Sequence, residues 1–79
     1  MTHELKTWPE YFRAIVSGRK TFEVRKADRF FDVGDLLILK EFDPETKEYT
    51  GKLITKEISY IFPGGQFGIT LGYVVMGIV

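Results

Sequence analysis

At 79 residues, 44% hydrophobic, 28% charged and 15% aromatic, the chain is long enough for one globular domain over residues 1–79 and too short for two, and its composition excludes a disordered segment. No cysteine and a single histidine, His3, exclude disulfide stapling, thiolate metal sites and histidine-rich zinc sites, so no cofactor is expected. Eleven basic and eleven acidic side chains give zero formal charge, which excludes a strongly basic binder of generic duplex.

Residues Thr2 to Lys6 are short, polar and extended, with no apolar signal core before them. No apolar run approaches the ~20 residues of a membrane span, so the expectation is a cytoplasmic protein with no membrane partner. Thr7-Trp8-Pro9-Glu10 predicts a helix start: Thr7 caps, Pro9 sits in the first turn and Glu10 completes a capping box. Trp8, Phe12, Ile15 and Val16 then form one apolar helical stripe, which reads Trp8 as a core residue with stacking on a base as its alternative, and Gly18 is the left-handed stop.

After Gly18 the period becomes two. Phe22 and Val24 are expected to face the core, with Thr21, Glu23 and Arg25 on the other surface. Asp32-Val33-Gly34-Asp35 is a turn, and Leu36 to Leu39 is a continuously apolar, central strand covered on both faces. Asp43 to Lys47 carries turn chemistry, giving a hairpin with an acidic tip whose return holds Tyr49, Leu53 and Ile54. Ile58, Tyr60 and Phe62 alternate on the strand that follows, with Tyr60 and Tyr73 at the rim, and Tyr73 to Val79 is the last strand. Between them, Pro63 to Gly68 is an irregular loop of the kind that carries binding groups, but with no lysine or following helix it is not a phosphate-binding P-loop. The expected class is α+β, mainly β: a small barrel of five to six strands with one N-terminal helix packed on it. A domain this size buries only about 60% of its unfolded surface, so the expected state is a monomer or weak homodimer.

The zero charge is unevenly spread. From Arg13 to Arg29 six basic residues face two acidic ones, whereas from Phe30 onward four lysines face seven carboxylates, a field that can steer an anion to one surface. Within the basic segment, Lys20 precedes the strand that carries Glu23 and Arg25, whose Cβ atoms are about 7 Å apart on one face. A planar guanidinium fork, a mobile ammonium and an accepting carboxylate suit a nucleotide-like ligand. A solvated surface ion pair of Glu23 with Arg25 is the alternative that spacing alone leaves open.

Gly18-x-Lys20-x-x-Glu23-x-Arg25 resembles the G-x-K-x-x-E-x-R signature of the ASCH domain, in the PUA-like superfamily of small β-barrels. Tyr11-Phe12, Val33-Gly34-Asp35, Asp43-Pro44, Tyr49-Thr50-Gly51 and Gly72-Tyr73-Val74-Val75-Met76 resemble a short, functionally uncharacterised ASCH-like family of bacteria and phages. The resemblance implies a PUA-like (ASCH) barrel, a cleft between barrel and helix, and binding of RNA or a modified nucleoside or nucleotide. Lys6, Lys20, Glu23, Arg25, Lys26 and Arg29 are the expected binding residues, with Phe67 as the stacking aromatic. Some ASCH-like proteins are amidohydrolases of N4-acylated cytidines, using a lysine that matches Lys20, a threonine three residues later and a distant glutamate. Here Glu23 holds the threonine's position, and a carboxylate cannot replace a hydroxyl that forms an ester intermediate. In that alternative Lys20 and Glu23 are catalytic, Thr21 is displaced by two residues and Glu57 stands in for the glutamate. A third alternative is a protein-interaction module using the acidic hairpin from Asp43 to Glu48. His3 is expected to be a hydrogen-bonding strand residue rather than a catalytic one.

Overall fold

The computed structural model describes residues 1–79, and its extended start is strand β1 (Thr2–Thr7), followed by helix α1 (Pro9–Val16). Thr7 does not cap this helix, because it is still part of β1. Trp8 takes the N-cap position with extended backbone (φ −64°, ψ 149°), and no side chain bonds the free amides. Proline holds its predecessor in the extended region, so the helix starts one residue later than a Thr7 capping box requires. Phe12 and Ile15 are buried, whereas Val16 is exposed. The stop at Gly18 is as the sequence predicts: its φ is +82°, its amide donates to the Ile15 carbonyl and that of Arg19 donates to Ala14. This is the Schellman arrangement, and the Lys20 amide also donates to Ala14, which fastens Lys20 to the helix end.

Four strands follow: β2 (Phe22–Lys26), β3 (Leu36–Asp43), β4 (Glu48–Pro63) and β5 (Tyr73–Ile78), in the sheet order β1-β3-β4-β5-β2. β1 and β3 are parallel and the other pairs antiparallel. The hairpin return and the strand expected after it are one 16-residue strand, β4, which pairs with β3 through Glu57 and with β5 from Ile58 onward. The register shifts between Ile58 and Tyr60, and such a bulge bends a strand and re-aims its side chains. Hence Ile58 is fully buried while Tyr60 is 65% exposed, and Ile61 packs on the core in its place. Gly77 lies opposite the bulge, where a Cβ would meet Ser59 Oγ at 2.9 Å.

β3 lies inside the sheet, but only one of its faces is covered. Leu37 and Leu39 are fully buried and Leu36 is 40% exposed, so the apolar run contributes alternate residues to the core. The core joins Leu5, Ile15, Phe31, Leu37, Leu39, Ile58, Met76 and Ile78. At the hairpin tip Asp43 accepts from the Glu45 amide at 2.9 Å, so part of the acidic cluster is engaged in its own turn. Asp35 ends the predicted turn and anchors the chain start: Oδ2 lies 2.8 Å from His3 Nε2, and Oδ1 accepts from the Met1 amine at 2.9 Å. These donors hold the Asp35 carboxyl down at about 2, below its ordinary 3.8. His3 is therefore a buried structural partner, tilted against Phe31.

No backbone ladder joins β1 to β2, so the sheet is not closed. Its two edges nevertheless come within side-chain reach: Arg25 on β2 donates from Nη2 to the Lys6 carbonyl on β1 at 2.8 Å.

Candidate functional site

The pairing of β2 with β5 decides which side chains the site contains. Glu23 lies opposite Met76 and Arg25 opposite Val74, and directly opposed residues of an antiparallel pair share a face. Met76 is fully buried, so Glu23 is carried inward with it and is only 3% exposed. Phe22 and Val24, opposite Gly77 and Val75, are left about half exposed. The expected facing of β2 is thus reversed: the spacing of Glu23 and Arg25 holds, but they occupy the inner face.

A buried carboxylate needs partners, and the flanking cations supply them. Lys20 Nζ donates to Glu23 Oε1 at 2.6 Å and to the Phe22 carbonyl at 2.7 Å. Arg25 Nε donates to Glu23 Oε2 at 2.9 Å, while Nη2 bridges to the Lys6 carbonyl and lies 3.4 Å from Thr7 Oγ1. The Lys20 and Arg25 side chains are 17% and 25% exposed, so this triad is not a solvated charge run.

It forms the floor of an open cleft of about 450 Å³ between the β1–α1 junction and β2. Trp8 and Tyr11 stand on one side, stacked with ring centroids 6.3 Å apart and planes 23° from parallel. Phe22 stands on the other, with Lys20 Nζ 5.0 Å from its ring centroid. Trp8 is 53% exposed and is not a core residue. The helical stripe misplaced it because it precedes the helix; the Trp8-Pro9 pair was the available signal, since a residue before proline stays extended. Thr7 and Tyr11 also line the cleft; the sequence marked Thr7 only as a helix cap and Tyr11 only within the family resemblance, and neither was among the expected binding residues.

The remaining expected binding residues divide. Lys6 and Arg25 line this cleft and also a second one of about 360 Å³, whereas Lys26 and Arg29 line only the second. Phe67 lines neither: it is 87% exposed in its loop with φ +51°, beside Phe62 at 5.9 Å between centroids. Glu57 is exposed and its backbone pairs with Val79, away from the Lys20 ammonium's partners. Thr21 precedes β2, its carbonyl accepting from the Ile78 amide. No three carboxylate or imidazole groups converge where a metal could sit, and no helix is long and apolar enough to cross a membrane.

Comparison with known proteins places residues 2–78 on the model of a family described as a domain of unknown function, DUF3850. The chain belongs to this family. It is also similar to an uncharacterised 12.9 kDa protein encoded in the GpA 3′ region of Escherichia phage P2, with 37% identity over 57 residues. That match covers 72% of this chain and 50% of the phage protein, so the chain spans about half the length of its curated relative. The whole Lys20, Glu23 and Arg25 triad and both cleft walls lie inside the family match.

In this DUF3850 domain the triad has capacity to spare. A carboxylate has about four acceptor positions, and two of those on Glu23 are used. Arg25 Nη1 and one hydrogen of the Lys20 ammonium are uncommitted. Acceptor and donor positions therefore lie side by side between aromatic walls, an arrangement complementary to a planar heterocycle that offers a donor and an acceptor on one edge.

Proposed function

We propose that this chain is a non-catalytic binding module for a nucleobase-bearing ligand, either a modified nucleoside or nucleotide or an unpaired base of RNA. The observation that carries the reading is the buried Glu23 carboxylate, fixed between Lys20 and Arg25 on the floor of a cleft walled by exposed Trp8, Tyr11 and Phe22. Exposed aromatics are the stacking surface that unpaired bases use, and a fixed carboxylate beside a guanidinium reads a base edge. The G-x-K-x-x-E-x-R resemblance to ASCH domains supports the same reading. The hydrolase reading has less support: the residue in the nucleophile position is Glu23, and both its oxygens accept from cations.

The test is a titration of the full chain with the four ribonucleosides, N4-acetylcytidine and short single-stranded RNA, followed by amide chemical shifts and Trp8 fluorescence. At least one probe is expected to shift the cleft residues, and Trp8→Ala to weaken it about tenfold, as a lost stacking platform of about 1–3 kcal/mol implies. Lys20→Ala should weaken it as well. Probes that bind wild type and both variants equally would defeat the reading, and turnover of N4-acetylcytidine abolished by Lys20→Ala would replace it with the hydrolase.

A further inference from the structure

We propose that the second cleft is a phosphate subsite, so that the ligand is held by a phosphate group as well as by its base; this rests on the nucleobase reading above. The two clefts are continuous in their lining, sharing Lys6 and Arg25. Arg25 is the partition between them. Its Nε and Nη2 are committed to Glu23 and to the end of β1, and Nη1 is left over.

The second cleft is charged where the first is aromatic. Five cations line it, Lys6, Arg25, Lys26, Arg29 and Lys40, against only two carboxylates, Glu4 and Asp28. Both carboxylates are already engaged. Glu4 is paired with Lys40, which lowers the Glu4 carboxyl and raises the Lys40 ammonium, and Asp28 Oδ1 lies 3.6 Å from Arg29 Nε. Lys6 and Lys26 take part in no ion pair, and the Lys6 ammonium is 4.5 Å from the centroid of the Phe42 ring. In a chain of zero formal charge this excess results from where the fold places its cations, not from composition. A concave surface lined by one sign of charge concentrates counter-ions of the other.

The chemistry of the cations favours phosphate. Lys6 on β1 and Lys26 and Arg25 on β2 all line this cleft, and a phosphate monoester brings nearly two negative charges and three acceptor oxygens to such a set of cations. A base seated against Trp8 and Phe22 would place its sugar toward the shared wall of Lys6 and Arg25, with the phosphate beyond it. A free nucleotide carries this monoester at that point, and an RNA strand carries a singly charged phosphodiester that the same cations can hold.

The experiment compares cytidine and guanosine with their 5′- and 3′-monophosphates, with inorganic phosphate and with pentacytidylate, by calorimetry and amide shifts on the full chain at low salt. At least one monophosphate is expected to bind tenfold or more tighter than its parent nucleoside, and the ratio to fall below threefold in the Lys26→Ala/Arg29→Ala variant. Equal affinity of nucleoside and monophosphate, or a ratio that survives the double variant, overturns the subsite. Inorganic phosphate shifting Lys26 and Arg29 while no nucleoside binds would sustain the anion subsite and sink the nucleobase reading. Silence of every probe would sink both. Where the ratio collapses in the double variant, a pentacytidylate tighter than either monophosphate, and weakened by the same variant, assigns the subsite to a strand phosphodiester, and a weaker one assigns it to a free nucleotide.

Discussion

Replacing Glu23 with glutamine removes one charge from the floor of the cleft while keeping its shape, and the cost follows from the geometry. Two charge-assisted hydrogen bonds, from Lys20 at 2.6 Å and Arg25 at 2.9 Å, are weakened at a residue that is 3% exposed. Bonds to charged groups contribute about 1.5–3 kcal/mol each. Two effects offset part of the loss. A neutral amide is easier to bury than a carboxylate, and the Lys20 and Arg25 side chains, 17% and 25% exposed, regain some water. The expected net destabilisation of Glu23→Gln is about 2 kcal/mol, or roughly 8–16 °C in Tm for a domain of this size. Asp28→Asn is the internal comparison: it removes a longer ion pair with Arg29 at 3.6 Å, whose side chains are 60% and 43% exposed, and such pairs contribute less than about 1 kcal/mol. Urea unfolding at pH 7, followed by far-UV circular dichroism with an unchanged slope, measures both. If Glu23→Gln lies within about 0.5 kcal/mol of wild type, or if Asp28→Asn costs as much, the triad is not a buried electrostatic unit and the site argument fails.

Asp35 gives a pH dependence: its folded-state pKa of about 2 lies below the ordinary 3.8, so its stabilisation is present above pH 4 and is lost as pH falls through about 2. The acid limb of the urea midpoint between pH 4 and 2 should therefore be shallower in Asp35→Asn than in wild type, and identical limbs would contradict the assignment. Gly18→Ala should cost about 1–2 kcal/mol in the same unfolding assay, because the φ of +82° is unfavourable for an L residue although the space beside it is open. Gly64→Ala should destabilise for a different reason: a Cβ there would collide with the backbone carbonyl oxygens of Thr70 and Tyr73, forcing the loop apart. Proteolysis within 63–73 should then be faster than in wild type, and unchanged nicking would show that the loop already samples that opening.

Much of the chain's course was legible in local signals. Pro9 and Gly18 bracket the helix, Gly34 marks the turn before β3, and Asp43 to Lys47 turns β3 into β4. The spacing of Lys20, Glu23 and Arg25 was also readable, because the Schellman stop fixes Lys20 at the helix end and the pleat puts Glu23 and Arg25 on one face. Local signals did not distinguish one long strand from two, since the bulge in β4 reflects its change of partner from β3 to β5.

By itself the sequence determined the helix stop at Gly18, the strand-rich remainder and the spacing of Lys20, Glu23 and Arg25, while its Thr7 cap set the helix start one residue early. Only the tertiary structure decided that Glu23 is buried and that Phe22 and Trp8 are exposed. The alternation of β2 is compatible with either face inward, because Phe22 and Val24 can be buried as hydrophobes and Glu23 can be buried with Lys20 and Arg25. Pairing with β5 removes that degeneracy, setting Glu23 opposite Met76 in the core and leaving the aromatic side chains to wall the cleft.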